Sequence, residues 1–492
     1  MIPVWRARTT AGLLAACAVG LLLSLGLPET WPTQIWAPLW RSALQASLSA
    51  SASCLMGLLL AYAAHHARPG LKPKGWLAVF NTLPVMPTLV VVLMLLAAYG
   101  RNGAMAQAGL PLGTVLYGLG GIVLAHCFIN APWVMQQLLS QWQDITLERR
   151  RLVAQLGVRG VRAFYLLYWP LINETLRRQW LLVFLLCFTS FAVVLVFAGS
   201  PKWATLEVRL YQLITLEFDL AGATSLAWAQ LLALVPLMIW LSRAGPSVVA
   251  LGRVSSGPVS VFWSWVWGLL SVVWAVPILA LLWRASQVDY AKLLGSDAVQ
   301  QAILTSVWVA TLSATAAVML AWSLARAPSQ RWISLSGLLY FLIPSQVMAL
   351  ALFLLFRRTG WGHPAMAVIF SNALMCIPFV LSVLVPAIRR YPQDRLMSSL
   401  RLSPSTRFVR IHWPRHRRVL VWAWVFCFGL SLGDFGVVAL FGSQDFLTLP
   451  YLLYQKLGSY RTQDAYGLAM LIWGALGLMF YYAARWRNHA AR

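Results

Sequence analysis

The sequence predicts an all-α polytopic membrane protein, with about 12 transmembrane helices in two pseudo-two-fold related halves. Three observations carry that prediction: a composition that no water-soluble core could conceal, apolar runs of bilayer length, and a set of motifs that occurs twice in constant order.

Of 492 residues, 60% are hydrophobic and only 10% are charged, with a mean hydropathy of +0.71. That much apolar surface requires lipid as part of its solvent. Runs of about 20 apolar residues cross roughly 30 Å of hydrocarbon as helix. Such runs fall near 11–28, 43–64, 77–99, 113–136, 180–199 and 224–242, then 260–283, 302–324, 333–356, 365–388, 419–441 and 466–484. Pro132 and Pro378 weaken the fourth and tenth. The first run follows Arg6 and Arg8 but is long and lacks a small-x-small cleavage site, so it reads as an uncleaved span. These runs divide the chain into a first half, 1–242, a linker rich in Ser, Gly and Pro, 243–259, and a second half, 260–492. The spans at 11–28 and 260–283 lack the strongest repeat matches and are expected to lie outside a core of five spans per half.

Short connections set the orientation. Placing the amino terminus in the cytoplasm puts 28 of the 38 Lys and Arg residues on that side, against only Asp144, Glu148, Glu174 and Asp394 among the acids. The net charge of +25 is then a cytoplasmic charge spread over helix ends. Nucleic-acid binding, which needs a gathered basic face, is excluded on that ground.

The duplication is clearest in two basic loops, 149–170 and 394–414. Leu152–Pro170 recurs in degenerate form as Leu396–Pro414, each with a Leu (Leu156, Leu400) 14 residues before the Pro of a Trp-Pro pair. At the same 244-residue offset Phe191, Val193, Val194 and Phe197 match Phe435, Val437, Val438 and Phe441. Thr205-Leu206 and Tyr211-Gln212 match Thr448-Leu449 and Tyr454-Gln455, and Ser42 with Ser47-Leu48 matches Ser306 with Thr311-Leu312. Apolar helices resemble one another by chance, but polar and proline matches in constant order do not arise that way.

Each loop reads as a short amphipathic helix, a turn, and a second short helix ended by Pro170 or Pro414. Leu152, Val153 and Leu156 form one apolar face and Leu396, Met397 and Leu400 the other, backed by Arg149–Arg151 and by Arg389, Arg390 and Arg395. One such loop could be an anchor on anionic lipid. Two at matched spacing favour docking to a two-fold partner. No phosphate-cradling loop, zinc-protease motif or nucleophile elbow occurs, so no catalytic residue is assigned and any ATP must be handled by another chain. The six cysteines fall in predicted spans without metal-ligand spacing.

On these residues the chain resembles the membrane permeases of binding-protein-dependent ABC importers, whose cytoplasmic loop carries Glu-Ala-Ala, three residues, Gly, nine residues, Ile-x-Leu-Pro. The first copy aligns Arg151-Leu152-Val153, Gly157 and Leu167-Tyr168-Trp169-Pro170; the second aligns Arg395-Leu396-Met397, Arg401 and Ile411-His412-Trp413-Pro414. The leading Glu is lost twice, and Arg401 replaces the glycine. Leu432–Gly442, Thr448-Leu449-Pro450, Gly458–Asp464, Ala98–Arg101, Leu124-Ala125-His126, Ala154–Gly157 and Asn372-Ala373-Leu374 are further similar to the fused permeases of bacterial thiamine and thiamine pyrophosphate importers.

The resemblance implies a type I importer permease fold in the bacterial inner membrane and transport of thiamine or its phosphates from periplasm to cytoplasm. It implies two copies of an ABC ATPase as partners, with ATP and Mg on those chains and no cofactor on this one, and a periplasmic thiamine-binding protein. The docking residues would be Arg151, Leu152, Val153, Ala154, Leu156, Gly157 and Pro170, with Arg395, Leu396, Met397, Leu400, Arg401 and Pro414. Ferric iron or a polyamine is the alternative cargo within the family. A secondary transporter is the rival class, and it would be expected to carry ionisable residues in several spans.

Asp434 is the acid well inside a predicted span, about 22 Å along its helix from the cytoplasmic start. A charge near mid-bilayer costs roughly 2.5–3.5 kcal/mol on insertion scales, so it must face protein or water. With Phe435 and Phe191 it could attract a thiazolium cation; equally it could bond Ser431 or a backbone amide in a neighbouring helix. Its repeat counterpart is Ser190. His126 has the same two readings, a hydrogen-bonded packing residue or a contact in the substrate path.

Overall fold

Where the chain is described, its apolar runs are helices, and the points at which they stop are set by proline, glycine and short polar side chains. A computed structural model describes residues 4–28, 35–68, 70, 80, 82–110, 113–142, 145, 147–158, 160–198, 203–243, 259–325, 343–360, 362–389, 403, 406, 408–459 and 461–488. The first half contains α1 (Val4–Leu25), α2 (Trp36–His66), α3 (Thr88–Tyr99), α4 (Leu119–Trp142), α5 (Leu147–Gln155), α6 (Gly160–Leu167), α7 (Trp169–Phe188), α8 (Ala192–Phe197), α9 (Leu206–Thr215) and α10 (Leu220–Arg243). The second contains α11 (Val261–Ser286), α12 (Asp297–Ala325), α13 (Ser345–Thr359), α14 (Pro364–Arg389), α15 (Trp413–Leu432), α16 (Val438–Phe441), α17 (Leu449–Gly458) and α18 (Thr462–Asn488).

Among the described residues eight helices are long and apolar enough to cross a membrane: Trp36–His66, Thr88–Gln107, Leu119–Trp142, Leu220–Leu237, Val261–Ser286, Asp297–Ala325, Pro364–Ile388 and Thr462–Ala483. Four of the expected twelve are not among these, and two of the four have a physical cause. In the 11–28 region the apolar stretch is the short Gly12–Leu25, and 333–342 of the ninth expected span lies outside the described residues. The expected spans 180–199 and 419–441 are broken. α7 stops at Phe188, where the Thr189 hydroxyl donates back to the Leu185 carbonyl, and the chain re-enters a helix only at Ala192. α15 stops at Gly433, and the Asp434 carboxylate accepts from the Gly436 amide. Short polar side chains offer the backbone a competing partner, which ends a helix that hydropathy alone would continue. Pro132 and Pro378 do the reverse of what was expected, lying inside the continuous α4 and α14. In α4 the carbonyl that Pro132 frees, that of Phe128, accepts from the Trp274 indole at 3.1 Å.

Small residues let the core helices approach. Ala46, Ala50, Ser53, Gly57, Ala61 and Ala64 are buried on α2, and Ala310, Ala314, Ala317 and Ala321 on α12. α2 packs on α4 and α7 as α12 packs on α14 and α15. Across the halves α1 lies on α13 and α12 while α11 lies on α3 and α2. α9 and α10 reach α13, and α17 and α18 reach α3. Ser24 of α1 fixes one such crossing by donating to the Ala351 carbonyl at 2.9 Å. The proposed linker lies almost wholly outside the described residues.

The short outer helices are seated alike. The Leu206 amide at the start of α9 donates to the Ser42 hydroxyl at 2.9 Å, and the Leu449 amide at the start of α17 donates to Ser306 at 2.7 Å. Each hydroxyl satisfies a first-turn amide that the helix itself cannot.

Candidate functional site

The first basic loop folds as α5, a turn and α6. Gly157 takes φ +67°, a left-handed turn that a side chain would strain, and a Cβ there would meet nothing within 4 Å. Leu152 and Leu156 are exposed while Val153 is buried, so Val153 anchors α5 and does not share their face. Arg151 is also exposed, and Ala154 lies within α5. The exposed apolar surface continues onto α6 through Val161, Tyr165 and Leu166, which sequence reasoning did not single out. Pro170 and Pro414 do not close the preceding helix; each occupies the first turn of the next, where its missing amide costs nothing. Arg395, Leu396, Met397, Leu400 and Arg401 lie outside the described residues.

Both loops are pinned to the bundle by aromatic rings. Phe164 and Tyr168 pack edge-on to Tyr62 of α2, each with ring centroids 5.7 Å away. Their repeat counterparts Phe408 and His412 pack on Trp322 of α12 at 5.9 and 5.7 Å.

A cavity of 330 Å³ lies between the halves, and the two helix breaks form much of its wall. His126, Ser190, Phe191, Asp434 and Phe435 all line it. Asn130, Asn372 and Ser431 add polar groups, and Asp434 is the one charged residue among the described lining residues. Asp434 does not sit on a helix as expected but in the break after α15. Its Oδ1 accepts from its own loop at Gly436 at 3.1 Å, and its Oδ2 has no partner. Ser431 is engaged elsewhere, accepting from Asn372 at 2.9 Å. The His126 ring is buried with Nδ1 3.1 Å from the Ser49 hydroxyl, while its Nε2 has no partner. Two buried polar atoms without a partner thus belong to residues of this wall.

The cavity's aromatic residues belong to a row that crosses from one half to the other. Phe191 and Phe435 stack at 5.7 Å and 21°, Tyr211 of α9 lies 5.2 Å from Phe191, and Tyr454 of α17 lies 4.9 Å from Phe435. Each phenylalanine and each tyrosine is the repeat partner of the other.

One buried acid escaped sequence reasoning, which left Glu207 among the solvent-facing acids of the outer connections. It is fully buried on α9, outside the spanning helices. Oε1 accepts from Gln230 of α10 at 2.6 Å; Oε2 is 3.3 Å from the Gln346 amide and 3.4 Å from the Ser345 hydroxyl, both at the amino end of α13. Burial pushes its carboxyl up to about 7, although hydrogen bonds from Gln230, the Gln346 amide and Ser345 pull the other way. The available signal was a departure from the repeat: Pro450 follows Leu449 where Glu207 follows Leu206.

No family model matches the chain. It is 33% identical over 512 residues to the thiamine transport system permease protein ThiP of Escherichia coli, covering 96% of this chain and 95% of that protein. The protein of the same description from Salmonella typhimurium is 34% identical over 513 residues, with 96% and 95% covered. That from Haemophilus influenzae is 33% identical over 471 residues, with 90% and 87% covered.

Proposed function

The chain belongs to the ABC-importer permease family of these thiamine transport proteins, and from that membership we propose that it carries thiamine or a thiamine phosphate from periplasm to cytoplasm. It is a multi-pass inner-membrane subunit that works with other transport subunits and is not itself an enzyme. Its energy comes from two ATPase chains seated on the cytoplasmic loops, and its cargo comes from a periplasmic binding protein received by the outer connections around α9 and α17. The amino terminus lies in the cytoplasm.

The observation that carries the reading is the cavity between the halves. The one carboxylate among its described lining residues, with one oxygen unpartnered, suits the fixed positive charge of a thiazolium, and the faces of Phe191 and Phe435 add cation–π attraction of about 0.5–2 kcal/mol. Ferric iron would call for several hard oxygen ligands and a polyamine for several acids, whereas the described lining supplies one. ATP-driven closure of the motor chains would draw the loops together and rock the halves about this cavity. The test is reconstitution of the chain with an ATPase and a binding protein in liposomes: thiamine should stimulate ATP hydrolysis and accumulate inside. Uptake that persists without the ATPase would instead favour a secondary transporter.

A further inference from the structure

A carboxylate with no exposed surface is costly unless it is hydrogen-bonded, and where its partners lie tells what it holds. Glu207 divides its two oxygens between the halves. Oε1 stays within its own half on Gln230 of α10, and Oε2 faces the Gln346 amide and Ser345 hydroxyl that open α13 in the other half. α13 runs for 15 residues, so its amino end presents unpaired amides and a partial positive charge.

From α13 the contacts lead into the cavity. The Gln346 side-chain amide donates to the Gly436 carbonyl at 2.7 Å, and the Gly436 amide donates to Asp434 Oδ1 at 3.1 Å. A Cβ at Gly436 would strike the Ser345 side chain, so the Asp434 loop is seated directly on the residue that Glu207 faces. Asp434, which lines the cavity and whose Oδ2 is buried without a partner, lies at the end of this path.

We propose that Glu207 is a positioning residue: it fastens the outer helix of the first half to the amino end of α13 and, through Gln346 and Gly436, orders the loop that presents Asp434 to the cargo. The proposal rests on the cavity being the cargo's path. On this proposal, parting the halves at this contact would release the loop, so closure and presentation of the carboxylate would go together. The mirror position, Pro450, has no side chain that can do this, and the first half's break at 189–191 is built without it.

The test is amide hydrogen exchange on the complete transporter in lipid nanodiscs, comparing Glu207→Gln, which keeps one acceptor, and Glu207→Ala with the unmodified chain. Exchange at 433–437 should rise about tenfold in Glu207→Ala and less in Glu207→Gln, with 189–191 unchanged. Unchanged exchange at 433–437, or equal rises in both breaks as general loosening would give, overturns the proposal. Failure of the transport reading looks different: ATP hydrolysis by the unmodified complex would ignore the thiamine-loaded binding protein while the exchange pattern stood.

Discussion

Where the first half turns its chain through Thr189, Ser190 and Phe191, the second turns through Gly433, Asp434 and Phe435, and the two breaks face each other across one cavity. What they share is mechanical: paired phenylalanines stacked on each other, a flanking tyrosine on each side, and a serine that seats each outer helix. What they do not share is charge. Asp434 stands against Ser190, Glu207 against Pro450, and His126 against Asn372. On the proposed function, the two-fold scaffold serves motion and folding, and recognition falls where the repeat has diverged.

The largest effect should come from the symmetric parts. Replacing Leu156 and Gly157 together with Leu400 should abolish thiamine-stimulated ATP hydrolysis while the chain still inserts; a β-branched residue at Gly157 alone stores about 1–3 kcal/mol of backbone strain. Coupling that survived would sever the loops from the motor. Next comes the asymmetric acid. Asp434→Asn should lower thiamine uptake by about tenfold, the equivalent of roughly 1.4 kcal/mol, whereas Ser190→Ala should change it little. Equal losses would mean that the two breaks play equal roles.

A smaller effect sharpens the symmetric side. Ser42→Ala and Ser306→Ala each strand a buried first-turn amide, and each should cost roughly 1–2 kcal/mol in thermal unfolding of the purified complex. Unequal costs would show that one outer helix is held by something else.

The smallest concerns pH. Glu207 is pushed up to about 7 when buried and returns toward its ordinary value near 4.5 when the halves part and water reaches it. The closed arrangement then binds more protons between those limits, so it strengthens as pH falls through 7 and weakens as pH rises. Gln230, Ser345 and Gln346, which face the carboxyl, do not titrate in this range. A Tyr211→Cys variant should react a few-fold more slowly with an impermeant maleimide at pH 6 than at pH 8, after correction for thiolate content, and Glu207→Gln should flatten that difference.

The duplication was legible because polar and proline positions recur in order, and it led to the pairs that now face each other. His126, Ser190, Phe191, Asp434 and Phe435 could be named because a polar or charged residue inside an apolar run must have a reason to be there. The helix breaks were hidden because the apolar run continues through them: Phe191–Phe197 and Phe435–Phe441 read as span, and only the local hydrogen bonds of Thr189 and Asp434 end the helix. Glu207 was hidden for the opposite reason, since an acid in a short outer connection looks solvated until a helix from the other half is packed over it. Val153 shares a helical face with Leu152 and Leu156 on paper, but the bundle beneath α5 claims it.

The reciprocal lean of α1 onto α13 and of α11 onto α3 bears on how such a molecule is made. Neither half completes its own wall, so during synthesis α1 must wait in the bilayer for a helix that emerges more than three hundred residues later. Lipid can cover its unfilled flank in the meantime, because packing between helices in a bilayer is not driven by escape from water. A joint at 243–259 would then secure one-to-one stoichiometry rather than adhesion, and two separately translated halves should find each other and knit.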